Sequence, residues 1–383
     1  MKIAMLIDGW KPIFGWWQVH VQELCKRLVQ NYNCEVDLFV RKLKDENWKK
    51  YDKNEVLENW KWKIYRIWPT TKFFNVFWRI LALMNTTWQL FWKVKKEKYD
   101  IIHAHAYVSG LPAKIVWSLL KIPVVYTVHG VNQLDTWKWW IMKKIEKWFV
   151  CWIKYDCEIS VWKEFLKYKN VNKNVVVIPN WVDIEKFDEV KIKKKYDWFN
   201  FLWVGRFSWE KWLEYLIEWI SLVDKKLLKE KWFKLNLVWD WEDKEKIENL
   251  VKKLNLEEFV NFKWKLFWDN LIKEYKKNHV FILPSLAEWQ PLTVLEAFAS
   301  KLPVIATDVW DNKYFINENN WFLIKSWDEN EIKDIIEKVL KFEKKDLESM
   351  WVNWYELVKN KFTWDKMMEK FFLEYKKITC NKQ

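Results

Sequence analysis

Two basic and two acidic side chains lie at spacings that suit a phosphorylated ligand. Arg206 and Lys211 fall in the segment Val204-Gly205-Arg206-Phe207-Ser208-Trp209-Glu210-Lys211, and Glu288 precedes Glu296 by eight residues. Arg binds phosphate oxygens through a planar fork and Lys acts as a point charge, so the two can converge on a diphosphate. Glu288 falls in a loop and Glu296 about one turn into the following helix, so both carboxylates can face one site. A carboxylate pair alone would be ordinary surface charge, but beside two cations it indicates a binding site.

Short aliphatic segments alternate with helical patterns along the chain, which is typical of βαβ units with parallel sheets. In the first half they predict strands at Lys2–Asp8, Glu35–Val40, Ile64–Ile67, Asp100–Ala104, Pro123–Val128, Glu158–Val161 and Val175–Ile178. The alternation restarts with strands at Phe201–Val204, Lys234–Val238, Val260–Phe262, Val280–Leu283 and Pro303–Ala306. We therefore expect an α/β protein with two doubly wound, Rossmann-like domains that face a central cleft.

The border between the domains is predicted in the polar, Lys-rich stretch Asp183–Asn200. This gives a first domain over residues 1–185, a second over 186–360 and a final helical segment over 361–383. In open α/β sheets, ligands bind beyond the carboxyl ends of the strands. The loop from Gly9 to Gln18 follows the first strand and opens a helix, whose N-terminal amides can meet an anion. His129 follows the fifth strand, where a histidine is more often a structural hydrogen-bonding group than a catalyst.

Tryptophan is unusually frequent and glycine unusually rare, with 35 Trp and 5 Gly. An average chain of this length would hold roughly 27 Gly. Many Trp stand where loops and helix ends need Gly, which favours glycine positions whose UGA codons were translated as Trp. A deliberate Gly→Trp series and a genuinely Trp-rich protein are the alternatives. If this interpretation is right, many Trp residues should lie in loops or at element ends, several of them with positive φ. They include Trp16, Trp209, Trp212, Trp241, Trp289 and Trp310.

With these positions taken as Gly, the chain resembles the family 4 glycosyltransferases, retaining enzymes of the GT-B fold. The resemblance runs from the first loop through His129, Gly205-Arg206, Glu210-Lys211 and Glu288-x7-Glu296 to the terminal helix. It implies transfer of a sugar from a nucleotide-diphosphate sugar to a glycan or lipid-linked acceptor. It also implies that the terminal helix crosses back to the first domain.

The resemblance implies a role for each matching residue. Arg206 and Lys211 would hold the donor diphosphate, Glu288 would grip hydroxyls of the donor sugar, and Glu296 would hold the ribose. His129 would touch the sugar near the reacting carbon. The remaining donor-binding positions are Gly15, Trp16 and Trp17 in the first loop, then Gly205, Asp240, Gln290 and Pro291, with phosphate-binding amides at Leu292 and Thr293.

No metal and no cofactor apart from the donor substrate is expected. The chain contains no Asp-x-Asp sequence, so a metal-held diphosphate is not supported. His103 and His105 are expected to point their rings to opposite sides of a strand, which would make them a poor metal site. The transition state is instead expected to be stabilised by Arg206, Lys211 and helix amides as the diphosphate gains negative charge.

The net charge of +14 favours solvated lysine-rich helix faces, with attraction to anionic lipid as the second interpretation. The segment Lys72–Lys98 is expected to be a buried amphipathic helix, and a helix on a bilayer surface is the alternative. Five Cys without a C-x-x-C pair and no apolar run of 18 residues fit a cytoplasmic protein, or one bound peripherally at the inner face of the membrane.

Other functions of the same fold stay open at this point. A nucleotide-sugar epimerase or a glycogen-type phosphorylase is disfavoured by the paired Glu spacing and the missing pyridoxal-lysine signature. An inactive or binding-only protein gains weight if the Trp residues are genuine. Nucleic-acid binding through stacked Trp rings is not expected, because it too depends on genuine Trp. The donor sugar, the nucleotide base, the acceptor and the oligomeric state cannot be read from these motifs.

Overall fold

The computed structural model describes residues 1–7, 16–41, 54–57, 61–68, 76–129, 152–168, 172–205, 209–239, 244–263, 266–288, 290–309, 312, 322–325, 328–343, 345–347 and 352–380. Only the backbone is described at 16, 41, 54–57, 68, 76–80, 82, 106–108, 209, 239, 244, 268, 329, 352 and 353. The chain divides into two compact units. Unit 1 comprises Met1–Pro179 with Met368–Gln383, and unit 2 comprises Asn180–Met367.

Unit 1 is built on a sheet of eight described strands. These are β1 (Lys2–Ile7), β2 (Glu35–Arg41), β3 (Asn54–Leu57), β4 (Trp62–Trp68), β5 (Ile101–His105), β6 (Val124–Val128), β7 (Cys157–Ser160) and β8 (Val175–Val177). Their order is β3-β4-β2-β1-β5-β6-β7-β8, and every neighbouring pair is parallel except the edge pair β3 and β4. β5 and β6 are buried throughout, as expected for central strands that helices cover on both faces.

The α-helices that connect these strands in the described residues are α1 (Trp16–Tyr32), α2 (Val76–Glu97) and α3 (Ala106–Leu120). α2 is amphipathic, with Leu90 and Val94 fully buried. Its opposite face keeps an exposed apolar stripe of Met84, Trp88 and Trp92, which are 63%, 65% and 50% exposed. The expectation of a buried face is therefore correct, and the helix carries an exposed apolar stripe as well.

Unit 2 is built on a sheet of six described parallel strands. These are β9 (Phe199–Gly205), β10 (Phe233–Trp239), β11 (Val260–Lys263), β12 (Val280–Leu283), β13 (Val304–Thr307) and β14 (Phe322–Ile324), in the order β11-β10-β9-β12-β13-β14. The described helices are α4 (Ile184–Glu189), α5 (Leu213–Leu222), α6 (Lys225–Glu230), α7 (Lys244–Lys253), α8 (Trp268–Lys277), α9 (Leu292–Ala299), α10 (Glu329–Lys341) and α11 (Val352–Lys361). Aliphatic and aromatic side chains from both faces of the sheet form one buried core.

The chain passes between the units at two points. The first is at Pro179, a few residues before the predicted stretch Asp183–Asn200. The border lies before the predicted stretch because Val182 belongs to unit 2, where its amide donates to the Phe362 carbonyl at 2.9 Å. The second lies in α12 (Trp364–Cys380), whose residues from Met368 onwards belong to unit 1.

Described tryptophans include residues in left-handed backbone and residues buried inside regular elements. Trp212 and Trp232 adopt left-handed backbone, with φ of 52° and 51°, which glycine enters without strain. In contrast, Trp203, Trp219 and Trp354 are buried inside β9, α5 and α11, and their indole N–H groups have no hydrogen-bond partner among the described residues. Of the six positions expected at loops or element ends, Trp16, Trp209 and Trp212 do lie at the start of helical elements. The other three, Trp241, Trp289 and Trp310, lie outside the described residues.

Candidate functional site

The segments of unit 2 that carry Lys211 and Glu288 follow neighbouring strands. β9 and β12 are adjacent and parallel, and the strand order reverses between them because β10 lies on the other side of β9. Such a switch point opens a crevice at the carboxyl ends of the strands, where α/β sheets bind ligands. β9 ends at Gly205 and leads to a 3-10 turn over Trp209–Lys211, while β12 leads through residues 284–291 to α9.

Lys211 and Glu288 meet at this edge in a direct ion pair between Nζ and Oε1. The two side chains are 17% and 7% exposed, so the pair is shielded from bulk water. Ser285 is fully buried and donates from Oγ to the same Glu288 oxygen at 2.6 Å. The Ser285 carbonyl in turn accepts the Thr307 hydroxyl. Glu288 is therefore held by Lys211, which was expected in the same site, and by the Ser285 hydroxyl, which was not.

The loops that carry these groups are joined by backbone contacts. The Leu286 amide donates to the Glu210 carbonyl at 2.8 Å. Trp212 then starts α5 from a left-handed conformation without a side-chain cap. At Gly205 an added Cβ would lie 2.9 Å from the Trp203 ring, so this position closely approaches its neighbour. The backbone thus fixes Lys211 relative to the Glu288 loop.

The start of α9 presents backbone donors. Its N-cap is Pro291, which offers no side-chain acceptor, so Leu292 and Thr293 begin a helix whose N-terminus has no side-chain cap. Such a terminus favours anions through its N–H groups and its dipole. The Thr293 hydroxyl is buried without a hydrogen-bond partner in the described part of the chain. These features are compatible with the phosphate role expected for this segment.

Gln290 attaches the same loop to the first residue of unit 2. The Asn180 amide donates to the Gln290 side-chain oxygen, and Asn180 Nδ2 donates to the Gln290 carbonyl at 3.2 Å. Both residues are buried. Gln290 therefore acts as a structural clamp on its loop, a role that sequence reasoning had not assigned to it.

Glu296 lies one turn into α9 and has a separate partner. The Tyr275 hydroxyl of α8 donates to Glu296 Oε2 at 2.8 Å. Desolvation raises the pKa of Glu296 to about 7, and the hydrogen bond from Tyr275 lowers it by a smaller amount. The residue as a whole remains partly exposed. Glu296 is therefore poised to gain or lose a proton near neutral pH.

Unit 1 contributes a cluster of four histidines at the carboxyl ends of β5 and β6. His103 and His105 belong to β5, His129 follows β6, and His20 projects from α1. All four are buried, with at most 7% of their surface exposed. His105 Nδ1 lies 2.8 Å from His129 Nε2, and the two rings stack. The ring of His20 packs edge-on against that of His129, with centroids 4.8 Å apart.

The expectation that His103 and His105 point apart is wrong. Their ring centroids are 4.2 Å apart, because residues two positions apart on a strand project from the same face. His103 Nε2 contacts the Thr127 hydroxyl at 2.7 Å, and His103 Nδ1 contacts the Tyr375 hydroxyl of α12 at 2.5 Å. The histidine pair therefore also connects β5 to the terminal helix.

Burial keeps these imidazoles neutral. Desolvation lowers the pKa of His129 to about 3, and it lowers the pKa of His105 and His20 well below the ordinary value, with added repulsion from neighbouring histidines. Nitrogens of His20, His105 and His129 all lie within 4.8 Å of one another, a grouping that could hold a metal ion. Because the rings of His103 and His105 do not point apart, their orientation no longer argues against a metal site.

Several expected site residues lie outside the described residues, namely Gly15, Arg206 and Asp240. Trp16 starts α1 but its side chain is not described, and Trp17 is partly buried in the first turn. Among the described groups, sequence reasoning missed Ser285, Tyr275 and His105. Only His105 carried a usable signal, since it shares a strand face with His103. The other two have partners that no local pattern identifies.

Comparison with known proteins matches both units to described families. "Glycosyltransferase Family 4" matches residues 18–186, and "Glycosyl transferases group 1" matches residues 184–353. The Escherichia coli UDP-Gal:alpha-D-GlcNAc-diphosphoundecaprenol alpha-1,3-galactosyltransferase is 30% identical over 311 residues, which span 72% of this chain and 76% of that protein.

Solved structures share the architecture. Sucrose-phosphate synthase from Thermosynechococcus elongatus superposes with a TM-score of 0.82 at 20% identity over 99% of both chains. Anabaena HepE in complex with UDP and glucose gives a TM-score of 0.73 at 14% identity, over 98% of this chain and 100% of that one. At these identities the likeness shows the fold, two parallel-sheet α/β units of the GT-B type.

Proposed function

Because the chain belongs to the family 4 glycosyltransferases of the GT-B fold, we propose that it transfers a hexose from a UDP-sugar to a diphosphate-linked lipid acceptor with retention of configuration. The observation that carries this proposal is the shielded Lys211–Glu288 pair at the strand switch point of unit 2. The relative that transfers galactose to a diphosphoundecaprenol-linked sugar supports the donor and acceptor classes.

In this reaction the bond between the sugar and the diphosphate breaks, and its electron pair stays on the departing diphosphate. The oxygen of the acceptor hydroxyl forms the new glycosidic bond, and its proton passes to the departing diphosphate. Lys211, with Arg206 from the same loop, would stabilise the negative charge that grows on the departing group. The N-terminus of α9 would contribute backbone donors to the same phosphates. No metal ion is required in this scheme, because these groups supply the positive potential.

Glu288 would exchange Lys211 for sugar hydroxyls when the donor binds. Without a ligand, its carboxylate is paired with Lys211. A diphosphate competes for Lys211, which frees Glu288 to accept hydrogen bonds from sugar hydroxyls while Ser285 keeps it oriented. Glu296 would hold the ribose and His129 would contact the sugar, as the family resemblance implies.

The central test removes the paired charges. We expect Lys211→Ala and Glu288→Ala each to lower UDP release from the preferred UDP-sugar by at least about 100-fold, the order seen for one preorganised charge-stabilising group. Lys246→Ala is the control, since Lys246 forms an ion pair of 2.6 Å with Glu214 in a more exposed place of the same unit. Activity within a few-fold of the parent for both site variants would place the active site elsewhere.

Stereochemistry and metal dependence are tested separately. We expect the product to keep the donor's anomeric configuration in NMR spectra, and turnover to be unchanged in EDTA. An inverted product would refute retention. Loss of turnover in EDTA that manganese restores would refute the metal-independent scheme.

We also propose peripheral contact with an anionic membrane at the cytoplasmic face, through α2. In the described residues no helix is long and apolar enough to span a bilayer. The exposed stripe of Met84, Trp88 and Trp92 lies beside Lys95, whose ammonium is 5.3 Å from the Trp92 ring centre. Met84→Glu should reduce co-sedimentation with phosphatidylglycerol vesicles, whereas Leu373→Glu, at a residue 52% exposed on α12, should not. Equal binding by both variants would exclude α2 as the contact.

Most tryptophans are further proposed to be glycine positions read from UGA codons. The left-handed Trp212 and Trp232 support this, as do the buried indole N–H groups of Trp203 and Trp219 that have no partner in the described chain. Sequencing the gene tests it directly, since UGG codons at Trp16, Trp212 and Trp289 would refute recoding. In that case an inactive or binding-only GT-B protein becomes the better assignment. The other alternative function is a nucleotide-sugar epimerase, which would convert the donor without an acceptor.

A further inference from the structure

Asn180 holds Gln290 through two hydrogen bonds, one from its backbone and one from its side chain. The Asn180 amide donates to Gln290 Oε1, and Asn180 Nδ2 donates to the Gln290 carbonyl at 3.2 Å. Both residues belong to unit 2 and are buried. Gln290 can therefore neither rotate its side chain nor shift its backbone without breaking one of these bonds.

The partners fix the orientation of both side-chain amides. A backbone N–H needs an acceptor, so the oxygen of the Gln290 amide must face Asn180, and a carbonyl needs a donor, so Nδ2 of Asn180 must face Gln290. This orientation leaves Gln290 Nε2 and Asn180 Oδ1 buried without a hydrogen-bond partner among the described residues. Buried polar atoms without a partner lower stability, and apolar groups of similar shape would avoid that cost. Stability alone therefore does not account for this pair.

The clamp acts at the end of the loop that leads to α9. The start of this loop is tied by the Leu286 amide, which donates to the Glu210 carbonyl at 2.8 Å. Gln290 ties its end, and Glu288 lies between the two attachments. Pro291, the N-cap of α9, follows Gln290 directly. The position of Gln290 therefore determines where the first backbone amides of the helix point.

We propose that Asn180 is a positioning residue of the donor site, which clamps Gln290 and so holds the first amides of α9 where they bind the diphosphate of the donor. The diphosphate as ligand rests on the proposed function, whereas the clamp does not. Binding groups that are fixed in advance lose less conformational freedom when the ligand arrives, so they contribute more to affinity. Asn180 itself does not touch the ligand in this scheme.

The chain offers a matched control in unit 1. Asn172 is also buried, its amide donates to a side-chain oxygen, Glu158 Oε2, at 3.2 Å, and its Nδ2 donates to a backbone carbonyl, that of Tyr155, at 2.6 Å. Asn180→Ala and Asn172→Ala thus each remove one hydrogen bond of the same kind and keep the backbone bond. A merely structural role would make the two variants alike.

Titration calorimetry with UDP and with uridine tests the role. We expect Asn180→Ala to weaken UDP binding by about tenfold, the order for loss of one hydrogen bond, and to leave uridine binding unchanged, because the clamp acts on the phosphate-binding amides. Asn172→Ala should bind both ligands as the parent does. Parent-like UDP binding by Asn180→Ala, equal losses in the two variants, or equal losses for UDP and uridine would overturn the positioning role.

Hydrogen exchange of the parent protein covers the case in which Asn180→Ala does not fold. We expect saturating UDP to slow exchange of the Asn180 amide together with the amides of Leu292 and Thr293, because the clamp and the start of α9 open as one unit. The Asn172 amide is the reference and should not change. Slower exchange at Leu292 and Thr293 without any change at Asn180 would overturn the proposal.

Failure of the positioning role is distinguishable from failure of the proposed function. If the parent and Asn180→Ala bind UDP equally while Lys211→Ala binds it more weakly, only the positioning role fails. A parent protein that does not bind UDP refutes the proposed function, and with it the diphosphate as the ligand that Asn180 serves.

Discussion

At the scale of single residues, the two carboxylates of the candidate site are each held by a neighbouring hydroxyl. Ser285 is fully buried and donates to Glu288 at 2.6 Å, on the carboxylate oxygen that also meets Lys211. Tyr275 does the same for Glu296 at 2.8 Å. A carboxylate that must grip hydroxyls in one direction needs such support, because its own side chain could otherwise rotate.

The contribution of Ser285 is measurable with a matched serine. We expect Ser285→Ala to lower kcat/KM for the donor by about tenfold or more, since hydrogen bonds to charged groups contribute about 1.5–3 kcal/mol. Ser300 is also buried, but its hydroxyl has no partner among the described residues, so Ser300→Ala should change kcat/KM little. Steady-state kinetics of both variants checks this. Equal effects would mean that Ser285 only fills space.

Two equally exposed tryptophans should respond to glycine in opposite directions. Trp232 and Trp88 are both 65% exposed, but Trp232 has φ of 51° whereas Trp88 lies within α2. Left-handed backbone costs a non-glycine residue about 1–2 kcal/mol, so Trp232→Gly should raise the free energy of unfolding. Trp88→Gly should lower it by about 0.5–1 kcal/mol, the cost of glycine inside a helix. Urea denaturation measures both, and a stabilising Trp88→Gly would contradict the argument.

At the scale of elements, α12 is anchored in unit 1 by a buried hydroxyl. Tyr375 is fully buried and its hydroxyl contacts His103 Nδ1 at 2.5 Å, while Phe371 packs its ring 5.8 Å from that of His103. The helix thus contacts the strand that carries the histidine cluster. Changes at Phe371 or Tyr375 should therefore reach the cluster, since both residues belong to the part of α12 in unit 1.

This anchoring gives a stability prediction. Tyr375→Phe leaves the ring in place but deprives His103 of its partner, which should lower the free energy of unfolding by about 1–3 kcal/mol. Tyr215→Phe is the control, because Tyr215 is 37% exposed and no hydrogen bond of its hydroxyl is found in the described chain. Denaturant midpoints of the two variants test the difference. Indistinguishable midpoints would show that the contact contributes nothing.

The buried strand β7 makes unit 1 sensitive to pH. Glu158 is fully buried, and desolvation raises its pKa from 4.5 to about 7. Between these values the native state keeps a proton that the unfolded chain has released, so the free energy of unfolding falls as pH rises. The loss should reach roughly 3 kcal/mol by pH 8 for a shift of this size. In Glu158→Gln this share of the slope should vanish. Parallel stability curves from pH 5 to 8 would contradict the prediction.

Most strands could be predicted because they are continuous buried aliphatic runs. β1 was expected at Lys2–Asp8 and spans Lys2–Ile7. α3 was expected only as one of the helices between the strands, without bounds, because Gly110 and Pro112 interrupt its helical pattern, although Pro112 is accommodated inside the helix. The contact between Lys211 and Glu288 was predictable, because their opposite charges lie in segments that were expected in one site. The hydrogen bond from Ser285 to Glu288 was not predictable, because serine donates to many kinds of acceptor and its residue type does not indicate a carboxylate.

At the scale of the whole molecule, the two units carry different groups of candidate site residues. The groups proposed to bind the diphosphate, Lys211 and the start of α9, belong to unit 2, whereas the histidine cluster belongs to unit 1. Each unit has its own sheet. Ligand binding that involves only one unit should therefore stabilise that unit selectively.

Calorimetry with UDP tests this selectivity. UDP at 100 times its Kd should add about 2.7 kcal/mol to the stability of the state that binds it. We expect the transition of unit 2 to move to higher temperature, and Lys211→Ala to abolish the shift at the same UDP concentration. An equal shift in Lys211→Ala would mean that the diphosphate binds elsewhere.

The discontinuity of unit 1 imposes an order on how the protein is made. Residues 368–380 of α12 are synthesised after all of unit 2, yet they supply Tyr375 and Phe371 to the wall of the histidine cluster. Unit 2 is continuous in sequence, so it can complete its core on the ribosome while unit 1 still lacks a buried helix. The earliest strands of the chain are therefore the last to reach their final packing. Until then, His103 Nδ1 lacks the Tyr375 hydroxyl that it contacts in the folded protein.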